Sequence, residues 1–196
     1  MPRVVFTLCL ALLVSACGRI NSPAVKAFDG NKHWMLLEPV VWKIGGSSET
    51  ITVPKGFVHD YASIPRALWT IGLSPHDQYS RAAIVHDYLY WTQRCTRDQA
   101  DALMMIAMQE ERVSAAKRWA VYGGVVAGGG PAWQGNRDER DSGLTRYVPA
   151  EYQNISSDET WPNLRVKLKN AGITEAPEQG SASYCKLGDS IDVPSS

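Results

Sequence analysis

The sequence predicts an α+β fold: an N-terminal β-hairpin, then a small bundle of about three helices, then a polar C-terminal tail. Three observations carry this expectation. Runs rich in β-branched and aromatic residues flank a glycine–serine turn between residues 33 and 53. Stretches between 77 and 131 repeat apolar residues at three- and four-residue intervals. Beyond residue 133 the chain becomes polar. With 196 residues, 44% of them hydrophobic, it suits one domain with tails and a real core.

Residues 4–14 (VVFTLCLALLV) form an apolar run of 11 behind a single basic residue, Arg3. That run is too short to span a bilayer and suits the apolar part of a secretory signal. It ends in Val14-Ser15-Ala16-Cys17, which resembles a bacterial lipobox. The resemblance implies a signal peptide over 1–16 and lipidation of Cys17. Gly18 follows, with no aspartate to retain the protein at the inner membrane, so the implied address is the outer membrane, facing the periplasm. An ordinary signal peptide with an incidental cysteine is the alternative. Residues 17–32, polar with Pro and Gly and no periodicity, read as a lipidated tether.

Residues 33–44 (HWMLLEPVVWKI) and Ile51-Thr52-Val53 form the hairpin around Gly45-Gly46-Ser47-Ser48. Pro39 puts the first strand at an edge or a bulge. In the loop 54–65, Gly56 supplies an unusual φ, while Asp60 and Ser63 can cap the turn at Ile64-Pro65. A short helical turn is expected over Arg66–Ile71. Residues 77–93 read as a helix, with Asp77 or Ser80 near its start. Thr96 and Gln99 have capping-box spacing and open a helix to about Arg112, with Ala100, Leu103, Met104, Ala107 and Met108 inward.

A third helix is expected to start near Ser114, carry Trp119, Tyr122 and Val126, fray in the glycines of 123–130 and end by Pro131. That stretch is too short and glycine-rich for a membrane span, and reads as a small-residue packing face. The core domain thus covers 33–133. Residues 134–196 form a polar, partly ordered tail with Trp161 and Leu164 as anchors.

Charge excludes one function class. Twenty Lys+Arg balance 20 Asp+Glu with no basic run, so no nucleic-acid partner is expected. Of four cysteines, Cys9 belongs to the signal and Cys17 to the lipid. Cys95 and Cys185 remain, either as one disulfide in an oxidising compartment or as two thiols. Neither has a partner at zinc-ligand spacing.

The chemically capable residues concentrate between 56 and 101. At about 100° per residue, Tyr79, Ala82, Ala83, His86, Leu89 and Tyr90 share one helix face, with Asp87 on its flank. On the next helix Asp101 interrupts the apolar arc of Met104, Met105 and Met108. A buried carboxylate needs partners. The short connection from Tyr90 to Thr96 makes the helices antiparallel, so Asp101 is expected to face His86 or Tyr90. A carboxylate that orients an imidazole makes His86 a general base. The same residues can equally form a buried network that only fixes helix register.

The runs VPKGFVHDYASIP, AAIVHDYLY and RDQAD resemble the bacterial and phage proteins grouped as domain of unknown function 1353. The pattern places Gly56, Phe57, Asp60, Ser63, Pro65, His86, Asp87, Tyr90 and Asp101 over roughly residues 34–133, and it implies a fold but no activity. His86-Asp87-x-x-Tyr90 followed by Asp101 is also similar to secreted phospholipases A2. That likeness implies His86 as the base that activates water, Asp101 as its orienter and Asp87 as a ligand of a divalent metal, calcium first. The chain departs from it in having no glycine-rich calcium loop, unless Gly56–Asp60 substitutes, and no matching disulfides.

Together these readings predict a lipoprotein held to the outer membrane by its N-terminal lipid, acting as a metal-assisted hydrolase on lipid or another envelope ester. His86 and Asp101 are the catalytic candidates, and Asp87 and Asp60 the metal ligands. Tyr90, Ser63 and Gly56 give structural support. The competing reading is a non-catalytic envelope or phage-related lipoprotein that binds a protein partner, with Trp34, Trp42 and Trp69 on the binding surface. A histidine–aspartate phosphohydrolase would need metal-binding histidines that His59 and His76 do not supply.

Overall fold

Strand β1 (Val25–Ala27) pairs antiparallel with β2 (Trp34–Leu36), which pairs on its other edge with β5 (Val58–His59). Between them, β3 (Val40–Lys43) and β4 (Thr50–Val53) form a separate hairpin with Val40 opposite Val53 and Lys43 opposite Thr50. These coordinates are a computed structural model describing residues 23–61, 78–175 and 180–195. The signal, Cys17, Ser63, the Arg66–Ile71 turn and Asp77 lie outside the described residues.

The α+β class holds, with two changes to its β part. The single strand expected over 33–44 is split at Glu38-Pro39 into β2 and β3, which join different sheets. Proline has no amide to continue a ladder, so the chain changes sheet there. The tether also carries β1, because Val25–Ala27 finds backbone partners in Trp34–Leu36, a register that composition does not encode.

Helices α1 (Ser80–Thr92) and α2 (Arg97–Glu110) are antiparallel neighbours. Gln93, at φ 52°, closes α1 with its amide on the Leu89 carbonyl, and Thr96 and Gln99 make both bonds of the capping box. Ten of the 13 residues of α1 are buried, so its surroundings rather than one stripe hold it: sheet on one side, helices on the other. Glu110 ties α2 to the hairpin by accepting the Trp42 indole N–H and the Gly45 amide, each at 2.5 Å.

Helix α3 (Ala115–Asp141) corrects the expected stop at Pro131. Glycine and proline weaken a helix intrinsically, and Pro131 leaves the Ala127 carbonyl without its helical donor. Tertiary contacts carry the helix through: Gly129 packs against Tyr90, and the Trp133 ring meets Tyr90 edge-on at 5.1 Å. Further along, Arg140 lies 5.9 Å over the Trp91 ring.

The expected tail is also corrected, since it is built into the fold. Helix α4 (Trp161–Asn170), capped by the Thr160 hydroxyl, buries Trp161, Leu164 and Leu168 against Phe28, Met35, Val58, Val148 and Ile155 in a second core. A 3-10 helix (Ser183–Asp189) packs on α2, and Cys185 within it forms a disulfide with Cys95. Backbone bonds from Val58 N–H to Arg146 O (2.8 Å) and from Val148 N–H to Gly56 O (2.9 Å) cover the outer edge of β5.

Candidate functional site

The α1–α2 pair brings His86, Tyr90 and Asp101 together in the principal core. His86 Nε2 lies 2.8 Å from Asp101 Oδ1, and the Tyr90 hydroxyl donates to the same oxygen at 2.7 Å. Arg97, one turn before Asp101, sets its guanidinium 3.6 Å from the other carboxylate oxygen and donates to the Val126 carbonyl of α3 at 3.0 Å. His86 is 3% exposed and Asp101 fully buried. Three groups, His86, Tyr90 and Arg97, thus meet on one carboxylate.

The bond to Asp101 favours one tautomer of the ring. An ionised carboxylate only accepts, so the Nε2 facing it carries the imidazole proton. In that tautomer Nδ1 is a lone pair, and among the described residues no hydrogen-bond partner reaches it although it is buried. An unsatisfied buried acceptor costs about 1–3 kcal/mol. Burial, then Asp101, push the Tyr90 hydroxyl well above its usual range, so it remains a donor. The same causes raise Tyr122 on α3.

Asp87 points elsewhere. Its Oδ2 accepts the Asp60 amide at 3.0 Å, which puts the two aspartates at the junction of α1 with the residue after β5. Burial, then the Asp60 carboxyl, raise the Asp87 acid, while Arg146 opposes the shift. Tyr61 is pushed up to about 12 by burial and then by Asp87. Two adjacent carboxyls suit a hard cation, whose remaining ligands can be carbonyls and water. Among the described residues there is no group of three or more His, Cys, Asp or Glu side chains placed to hold a metal. Asp87 therefore stands with Asp60, and His86 with Asp101, as two clusters on adjacent residues of one helix.

Gly56 has φ +87°, and a Cβ there would fall 2.4 Å from the Val148 carbonyl. Its support is thus to admit the chain that covers β5. The sequence reading omitted Arg97 as a site residue, although its i,i+4 spacing to Asp101 was visible. It also missed Gly129, where an added Cβ would lie 2.2 Å from the Tyr90 hydroxyl oxygen. No local pattern marked that glycine among its neighbours. Arg146, which lies 5.7 Å over Trp91, was missed as part of the supposed tail.

Fold and site define a small α+β protein whose helix pair buries a histidine–carboxylate–tyrosine network. Residues 34–125 match the family described as protein of unknown function (DUF1353). No curated protein and no solved structure matches the chain.

Proposed function

We propose that this protein is a periplasm-facing outer-membrane lipoprotein that hydrolyses an ester of a lipid or of another envelope component, with His86 as general base. The observation that carries the reading is a buried Nδ1, without a partner among the described residues, on a ring whose Nε2 is tied to Asp101. A water in front of that lone pair would complete its hydrogen bonding and become the nucleophile once His86 takes its proton. Asp101 holds the tautomer and stabilises the imidazolium formed, and Tyr90 and Arg97 hold Asp101 in place. Asp87 and Asp60 would hold a divalent cation, calcium first, which when bound polarises an ester carbonyl. The Cys95–Cys185 disulfide supports an oxidising compartment.

The test is fatty-acid release from bacterial phospholipid vesicles by wild type, His86→Ala and Asp101→Asn, with folding matched by circular dichroism. Release by wild type that both variants abolish is expected. Equal release by wild type and His86→Ala would sink the proposal. The second reading is a non-catalytic lipoprotein, favoured by the near-complete burial of His86 and Asp101. It predicts that both variants lose stability and that wild type releases no fatty acid.

A further inference from the structure

Trp119 is 55% exposed and Val126 41% exposed on α3. They stand seven residues apart, with Tyr122 between them, so the three occupy one face of the helix. The Trp119 and Tyr122 rings meet edge-on at 5.9 Å. The other exposed large apolar residues, Leu37, Val41, Val166 and Val193, come from separate segments. Scattered apolar residues of that kind need no explanation, whereas an aligned set on one helix face does.

The helix segment that carries this face is itself basic, while Asp98 and Asp101 of α2 act on Tyr122 from beside it. From Val113 to Arg137 the chain carries Lys117, Arg118 and Arg137 and no acidic residue. Tryptophan and tyrosine beside basic residues suit the boundary between headgroups and acyl chains, above all where the lipids are anionic. No described helix is long and apolar enough to span a membrane, so a contact of this face with lipid would be made on the surface.

Two further observations connect the face to the bilayer and to the site. If Cys17 carries lipid, five residues separate it from Pro23, a maximal reach of roughly 20 Å, which would keep the domain near the membrane. The face also adjoins the buried network: Arg97 bonds the Val126 carbonyl, and Trp133, a further seven residues along α3, packs on Tyr90.

We propose that the Trp119–Tyr122–Val126 face of α3 docks on an anionic phospholipid surface, presenting the His86 site to the bilayer. This rests on the lipoprotein reading but not on hydrolysis, so it is tested without an activity assay. Val126→Cys in the lipidated full-length mature protein is labelled with an environment-sensitive fluorophore, leaving the Cys95–Cys185 disulfide intact. Val166→Cys on α4 serves as the control position. Both are reconstituted in phosphatidylglycerol or phosphatidylcholine vesicles containing brominated acyl chains.

Quenching at position 126 but not at 166, stronger with phosphatidylglycerol and lost with Trp119→Ser, is expected. No quenching at 126, or equal quenching at both positions, overturns the proposal. So does self-quenching at 126 that grows with protein density without acyl-chain quenching, because a second copy then covers the face. The mass of the N-terminal peptide reports lipidation separately, and fatty-acid release tests hydrolysis.

Discussion

Gly129→Ala should destabilise the protein although it replaces glycine inside a helix. The added Cβ would stand 2.2 Å from the Tyr90 hydroxyl oxygen, and ordinary contact begins at 3.4 Å, so one of the two must retreat by about 1.2 Å. Tyr90 donates to Asp101 at 2.7 Å, and a retreat of that size takes the bond out of range. A hydrogen bond to a charged group contributes about 1.5–3 kcal/mol, whereas alanine in a helix interior gains about 1 kcal/mol over glycine. The net expectation is a loss of about 0.5–2 kcal/mol. Gly124 and Gly128 provide the control, because a Cβ at either meets nothing within 4 Å, and alanine there should stabilise by up to about 1 kcal/mol. Urea unfolding of the three variants measures the difference. Repeating Gly129→Ala in a Tyr90→Phe background removes the clashing oxygen and should recover most of the loss. If Gly129→Ala stabilises as much as Gly128→Ala, or if Tyr90→Phe leaves its cost unchanged, the close approach does not hold the network.

Reducing the Cys95–Cys185 disulfide opens a crosslink of 90-residue separation, for which chain entropy gives about 4–5 kcal/mol; thermal unfolding with and without reductant should show a large fall in melting temperature. Glu111 is raised by burial from 4.5 to about 7, against the opposing pull of Arg81. The folded state then binds the proton more tightly than the unfolded chain, so stability is greatest below pH 4.5 and falls as pH rises to about 7, by at most on the order of 3 kcal/mol. Glu111→Gln should flatten that slope in urea titrations at pH 5 and pH 8, and an unchanged slope would assign it to another group. Gly56→Ala combines a φ of +87° with a 2.4 Å approach to the Val148 carbonyl, so it should loosen the 145–148 segment, read as faster amide exchange at Val58 and Val148.

What was legible in the sequence was local. Thr96 and Gln99 announce a helix start by their spacing alone, and the short link from Tyr90 to Thr96 turns Asp101 toward His86. Polarity periodicity marked Asp101 as buried before any partner was known. What was not legible depends on distant chain. Whether α3 survives Pro131 is decided by Tyr90 and Trp91, about 40 residues earlier. Trp161, Leu164 and Leu168 have helical spacing, yet their partners Phe28, Met35 and Val58 lie more than a hundred residues away. The separation of Asp87 from His86 likewise needed Asp60 to be placed, since adjacent helix positions diverge by about 100° whatever their chemistry.

The covering of β5 by residues 145–148 bears on what the family segment is. The match ends at residue 125, inside α3, before Trp133, Val148, α4 and Cys185. Cut there, the chain would expose the ladder groups of Val58 and Gly56 and lose five of the eight buried residues of the second core, leaving a sheet margin open to other chains. The matched segment and the packed unit are therefore different lengths. In this protein the C-terminal third closes the sheet margin and completes the second core that the matched segment leaves open.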